Sequence, residues 1–159
     1  MRKPTSPAEL AVNDAHTRLL VDSGRWMEVL VPVGNGDTHI IIAGLYGISG
    51  ASLDGPKRRT NNRIVDAAIK RMLCFKHTPY LLAGDFNMDP SDIEPIQLAV
   101  EAREVIDIMA SRAPDANNLH PTFCRGGVYK DMSGSGKTRI DTVLGNQIAN
   151  TIVSKAEMR

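Results

Sequence analysis

Cysteine is scarce in this chain: Cys74 and Cys124 are the only two among 159 residues, too few for a disulfide framework and without zinc-site spacing. That scarcity makes a reducing, intracellular compartment the expectation. Aromatic residues make up 4%, so a core has to be assembled from Ile, Val, Leu, Met and Ala. Neither sign of charge dominates. Nineteen Lys and Arg stand against eighteen Asp and Glu, and the net charge of +1 leaves the question of a polyanionic partner to local patches. No run approaches the ~20 apolar residues of a membrane span, and the opening Met-Arg-Lys-Pro-Thr-Ser-Pro leads into no apolar signal core. No membrane association is expected. With 42% hydrophobic and 23% charged residues, the composition is that of a folded domain with a real core, not of a disordered chain.

What is present is organised around Tyr80-Leu81-Leu82-Ala83-Gly84-Asp85-Phe86-Asn87-Met88-Asp89-Pro90. An apolar run ended by Gly predicts a short strand in the middle of a sheet. Alternation along that strand predicts Asp85 and Asn87 on one side, with Phe86 between them on the other. A carboxylate there can bind a hard cation or take a proton from water, and a carboxamide can hold a phosphate oxygen or orient a nucleophile. The same residues also read as an Asx-rich turn leading into a helix, for purely local reasons.

Around this centre, residues 1–24 are expected to be poorly ordered, with at most a short helix through Leu10, Ala15, Leu19 and Leu20. Residues 25–159 are expected to make one domain. Trp26 to Val33 and His39 to Leu45 predict a hairpin, turning at Gly34-Asn35-Gly36-Asp37. Pro32, which lacks a donor, suggests a sheet edge. Tyr46 is left at the rim, where its phenol can donate to a substrate oxygen or simply sit half-buried with a wet hydroxyl.

From Lys57 to Phe75, the spacing of Ile64, Val65, Ala68, Ile69, Met72 and Leu73 predicts a helix covering a sheet, with Arg63 and Lys70 on its solvent side. Lys57-Arg58-Arg59 opposes the helix dipole. Either the helix begins nearer Thr60 or Asn61, or the basic cluster serves a polyanion. Ser91-Asp92-Ile93-Glu94 has the form of a capping box and predicts a helix from about Asp92 to about Arg103. Glu104 to Met109 and Thr138 to Leu144 read as strands, His120 to Cys124 as an extended piece, and Thr151 to Val153 as a last short strand. Gly134-Ser135-Gly136-Lys137-Thr138 looks like a phosphate-binding loop but lacks the earlier Gly, with Asp131 in its place, and a strand follows where the loop needs a helix.

Taken together, Tyr46 at a strand end, Gly84-Asp85-Phe86-Asn87, His120-Pro121-Thr122-Phe123 and Arg139-Ile140-Asp141 before an apolar strand are specific. In this set and order the chain resembles the endonuclease/exonuclease/phosphatase superfamily over about Arg25 to Thr151. Tyr46 followed by Gly and Ser-Gly-Ala also looks like the nuclease domains of non-LTR retroelements. The resemblance implies an α/β fold, here a partial four-layer sandwich of two stacked mixed β-sheets flanked by helices. It implies metal-dependent hydrolysis of phosphodiesters or phosphomonoesters, with magnesium, or manganese in its place, and DNA, RNA or a small phosphoester as substrate. Carried onto these residues, Tyr46 contacts phosphate, and Asp85 aligns or deprotonates the attacking water and is the candidate metal ligand. Asn87 helps to hold water and phosphate, and Asp141 orients a catalytic histidine. Arg58, Arg59 and Arg63 join the phosphate-binding set.

Two departures qualify what the resemblance implies. The family's metal-binding Glu lies on an early strand well before the Tyr, and neither Glu9 nor Glu28 takes that place. Its terminal Ser-Asp-His has no counterpart here, because His16, His39, His77 and His120 all lie elsewhere. The sequence therefore reads as a truncated, weak or inactive hydrolase with a loosely held metal. The alternative is a catalytically dead remnant that binds nucleic acid or protein.

Overall fold

A computed structural model describes residues 14–33, 38–112, 123–124 and 137–157. In order, the chain forms α1 (Ala15–Asp22), β1 (Trp26–Val33), β2 (Thr38–Tyr46), α2 (Gly55–Leu73), β3 (Tyr80–Asp85) and α3 (Glu94–Glu101). It continues through β4 (Ile106–Asp107), α4 (Ile108–Arg112), β5 (Phe123–Cys124), β6 (Lys137–Thr138), β7 (Asp141–Gly145) and α5 (Gln147–Glu157). Five strands make one mixed sheet in the order β1-β2-β3-β7-β4, while β5 and β6 form a separate two-stranded ribbon. β3 is central, as its apolar run predicts. Its neighbours are β2, parallel to it, and β7, antiparallel. β1 is an edge, which explains how Pro32 is tolerated opposite His39. The turn expected at Gly34 to Asp37 lies outside the described residues, and so does His120.

The two faces of the sheet differ. Ile41, Ala43 and Leu45 of β2, Tyr80 and Leu82 of β3, and Leu144 of β7 are buried on one face. The buried stripe of α2, namely Ile64, Val65, Ala68, Ile69 and Met72, belongs to the same core cluster. On the other face Met27 remains 64% exposed, Val29 42% and Ile42 38%, with Leu81, Ala83 and Val143 only partly covered. No helix among the described residues is long and apolar enough to cross a membrane.

Several expected boundaries move, each for a local reason. The short helix allowed for in the first 24 residues is α1, which Asp14 caps through the Thr17 amide at 2.7 Å and which sends Leu20 into the core. α2 starts at Gly55, not at Thr60 or Asn61, because Asp54 caps it through the Lys57 amide at 3.0 Å and Pro56 occupies its first turn. Lys57, Arg58 and Arg59 therefore lie inside the helix. Ser91 caps nothing: it bonds Asp89 across a single 3-10 turn over Pro90–Asp92, and α3 begins only at Glu94 with no side-chain cap. The expected strand from Glu104 to Met109 is just β4, since Asp107 accepts from the Ala110 amide at 2.9 Å and turns the chain into α4. The strand expected from Thr138 is broken at Arg139 and Ile140.

The strand expected at Thr151 to Val153 is part of α5, because Asn146 caps that helix. Asn146 Oδ1 accepts from the Ala149 amide at 3.0 Å and the Tyr80 amide at 3.2 Å. Its Nδ2 donates to the Thr78 and Phe75 carbonyls at 2.8 and 3.3 Å. One buried side chain thus ties the entry of β3 to the start of α5. Asn146→Ala leaves these backbone groups without their partner and should lower stability by about 2–3 kcal/mol, read as a fall in the urea midpoint at unchanged slope. A loss below about 0.5 kcal/mol would mean that water replaces the side chain without difficulty.

Candidate active site

β2, β3 and β7 present Tyr46, Asp85 and Asp141 in a single cross-strand row, because Tyr46 is registered opposite Asp85, and Asp85 opposite Asp141. Residues in one such row project to the same face. The ladder continues past them: the Gly47 amide donates to the Asp85 carbonyl at 2.7 Å, and the Phe86 amide to the Ile140 carbonyl at 2.7 Å. Asp85 is therefore held by both neighbouring strands at the point where its own strand ends. The row lies on the half-open face of the sheet.

Asn87 joins the row by a different route from the one alternation suggests. β3 stops at Asp85, and Asn87 takes a left-handed backbone conformation with φ 54°, which Asn tolerates better than most residues. Its amide donates to Asp85 Oδ1 at 2.8 Å, the Asx turn that local chemistry also predicted. Its Nδ2 donates to the Gly47 carbonyl at 3.1 Å. The turn, and not strand alternation, is what places Asn87 here, because β3 has already ended at Asp85. Phe86 is fully buried beneath.

Asn61, which sequence reasoning passed over, braces the two rim loops. It is fully buried; its Oδ1 accepts from the Ile48 amide at 2.8 Å, and its Nδ2 donates to the Phe86 carbonyl at 3.2 Å. The signal was a polar residue on the apolar stripe of α2, one turn before Ile64 and Val65. The loops pass so closely that a Cβ added at Gly47 would meet the Phe86 carbonyl oxygen at 2.2 Å. Because Asn61 belongs to the second turn of α2, the start of that helix lies over the same rim. Arg58 Nη2 donates to the Ser52 carbonyl at 2.7 Å, and Arg59 and Arg63 are exposed. Arg25, also passed over, lies 5.4 Å from the Tyr46 ring centroid and donates to the Gly47 carbonyl at 2.9 Å.

Two charged residues named from the sequence belong elsewhere. Arg139 falls within the strand read from Thr138 to Leu144, but it precedes β7 and its guanidinium is buried. It forks onto Asp107 at 2.6 and 3.1 Å and reaches Thr142 at 2.6 Å. Glu28 lies opposite Ala43, on the face under α2, and is paired with buried Arg71 at 3.0 Å. The guanidinium of Arg71 also stacks 4.7 Å from the Phe75 ring.

Burial pushes the Asp85 carboxyl above its ordinary value and the Asp141 charge adds to the rise, while the hydrogen bond from the Asn87 amide opposes both. The folded state thus keeps the Asp85 proton to a higher pH than the unfolded chain. The stability this contributes is complete below the ordinary carboxylate range and is lost as pH rises through the folded value. Asp85→Asn removes that dependence. Its melting temperature should exceed that of the wild type near pH 7 and match it near about pH 3. An equal gap at both pH values would show that charge is not the source.

No family model matches the chain, and neither does any curated protein. Solved structures do. The catalytic domain of APE2 from Xenopus laevis superposes with a TM-score of 0.59 at 15% identity, over 86% of this chain and 50% of that one. The fold is that of the endonuclease/exonuclease/phosphatase proteins. The 3'-5' exonuclease NExo from Neisseria meningitidis gives 0.52 at 14% identity, over 86% of this chain and 72% of that one. NExo described as a 3' phosphatase bound to a product DNA hairpin gives 0.52 at 15%, over 87% and 73%. The chain thus spans half the length of the frog structure and nearly three quarters of the bacterial one.

For a chain with the endonuclease/exonuclease/phosphatase fold, the resemblance implies a divalent metal. The rim offers hard oxygen donors suited to magnesium or manganese: the carboxylates of Asp85 and Asp141, and the Asn87 Oδ1. The raised Asp85 carboxyl marks negative charge that its protein surroundings do not offset, and a cation would offset it. Among the described residues no three His, Cys, Asp or Glu side chains converge, so the rim supplies part of a coordination shell.

Proposed function

We propose that the chain is a metal-dependent phosphoester hydrolase of the nuclease or phosphatase kind, of low turnover, acting on DNA or RNA with weakly held magnesium or manganese. The observation that carries this reading is the cross-strand row of Tyr46, Asp85 and Asp141 with Asn87 folded back onto it. Asp85 Oδ1 already accepts from the Asn87 amide, which leaves Oδ2 to take a proton from water. The Tyr46 ring is half exposed and its hydroxyl can donate to a phosphate oxygen. Asn87 spends one N–H on the Gly47 carbonyl, which fixes its orientation, and keeps the other and its Oδ1 for phosphate and water. Asp141 raises the basicity of Asp85 and, as the resemblance implies, is the group that would orient an imidazole.

Asp85 and Asp141 are the residues that would hold the metal, which when bound supplies neutralisation of charge on the phosphoryl oxygens. Arg58, Arg59 and Arg63 would meet the sugar-phosphate backbone. Nucleic acid as substrate is supported by the similarity to NExo, whose structure holds a product DNA hairpin. A small phosphoester would need only the rim. Binding without turnover is the second reading, favoured by one observation: Glu28, the glutamate of β1, is committed to Arg71 on the opposite face. Assay of the purified chain with magnesium or manganese on plasmid, single-stranded DNA, RNA and bis(4-nitrophenyl) phosphate separates the two. Turnover sensitive to chelation supports the hydrolase, and its absence on every substrate sinks it.

A further inference from the structure

Between α1, the first turns of α2 and the loop leaving β2 lies a pocket of about 330 Å³, with aliphatic walls from Leu19, Ile48 and Ile64 and with Arg25 and Arg63 among its lining residues. Arg25 connects it to the row: it is one of the lining residues, and its guanidinium covers the Tyr46 ring and donates to the Gly47 carbonyl. One strand spacing, about 4.8 Å, separates Tyr46 from Asp85 beyond it. Only Nη1 of Arg25 is engaged, and Arg63 makes no hydrogen bond or ion pair among the described residues. Asp22 also lines the pocket, so two arginines stand against one carboxylate.

The volume is at the lower end of what small-molecule sites occupy. Apolar walls with unspent guanidinium donors suit a flat base attached to an anion, because arginine both stacks and forks onto phosphate.

We propose that this pocket receives the nucleotide next to the phosphate held at the row, its base against Leu19, Ile48 and Ile64 and its own phosphate between Arg25 and Arg63. The ligand is then a polynucleotide strand, not an isolated phosphoester. The proposal rests on the reading of the row as a phosphoester site, and its test keeps the two apart. Binding of a fluorescein-labelled single-stranded octanucleotide is followed by anisotropy in chelator, where no turnover occurs, as salt is varied. Arg63→Ala should weaken binding about fivefold and flatten the slope of log affinity against log salt by about 0.7, the signature of one lost phosphate contact on a single strand. Lys70→Ala removes equal charge from the same helix, at a lysine paired with Asp66, and should stay within about twofold of wild type. A nucleoside monophosphate should compete with the octanucleotide better than inorganic phosphate does, and Arg63→Ala should erase that advantage.

No octanucleotide binding, an Arg63→Ala indistinguishable from Lys70→Ala, or inorganic phosphate competing as well as the nucleotide would each overturn the pocket. Turnover of bis(4-nitrophenyl) phosphate by the wild type reads the row separately. With turnover present and Arg63 irrelevant to binding, the pocket falls and the hydrolase stands. With Arg63-dependent binding and no turnover on any substrate, the hydrolase falls and the pocket stands.

Discussion

Asp85→Ala should reduce metal-dependent phosphoester turnover by on the order of 10²–10⁴-fold, the largest loss from any side chain at the rim. Asp85 is the one residue paired in register with both Tyr46 and Asp141, and its Oδ1 also holds the turn that brings Asn87 back. Removing it deletes the proposed proton acceptor and releases the Asn87 amide together. No other carboxylate on β1 to β3 can take over, because Glu28 faces α2 and is paired with Arg71. The measurement is single-turnover hydrolysis of a labelled oligonucleotide at saturating metal, with circular dichroism to show that the variant is folded. Turnover in Asp85→Ala within tenfold of wild type would remove Asp85 from the chemistry and with it the proposed role of the row.

Gly84→Ala should have the largest effect on stability. A Cβ at Gly84 would lie 1.9 Å from the Leu45 carbonyl oxygen and 2.9 Å from its carbon, so the obstacle is backbone of the adjoining strand. Neither β2 nor β3 can move aside, since Leu45 is registered against Gly84 and the next pair is Tyr46 with Asp85. Packed interiors do not yield by such distances. The expected loss is on the order of 4 kcal/mol, a large share of the stability of an ordinary domain, read from urea unfolding or from failure to recover folded protein. A loss under about 1 kcal/mol would show that the strands separate there without difficulty.

Gly84 also shows what could be read from the sequence. A glycine ending an apolar run marked the end of a strand, and Asp85 after it marked a rim, both from short-range pattern. The hairpin of β1 and β2, the covering helix α2 and the central place of β3 follow from similar periodicities. The pairing of β3 with β7 is a long-range fact, and only the resemblance suggested that Asp141 would meet Asp85. Errors cluster where a side chain caps a turn more strongly than the pattern indicates. Asn146 turned an expected strand into α5, Asp107 cut β4 short, and Asp54 drew the start of α2 back over Lys57. Asn61 and Arg25 were not visible as site residues, because a buried amide and a stacked guanidinium declare themselves only once the two rim loops meet.

The cross-strand row has a consequence for how the protein comes to exist. Its members come from three strands, and the last, β7, is far from β3 along the chain, so their meeting closes a long loop. Such closures come late in folding, after local helices and hairpins have formed. A form with β1, β2, β3 and α2 assembled but β7 undocked would already have Tyr46 and Asp85 side by side and would lack Asp141. A one-residue slip of β7 would be worse, turning the Asp141 side chain through the sheet to the covered face. The order in which strands dock therefore decides when the row is complete, and if the proposed activity depends on Asp141, refolding followed through that activity would time the arrival of β7.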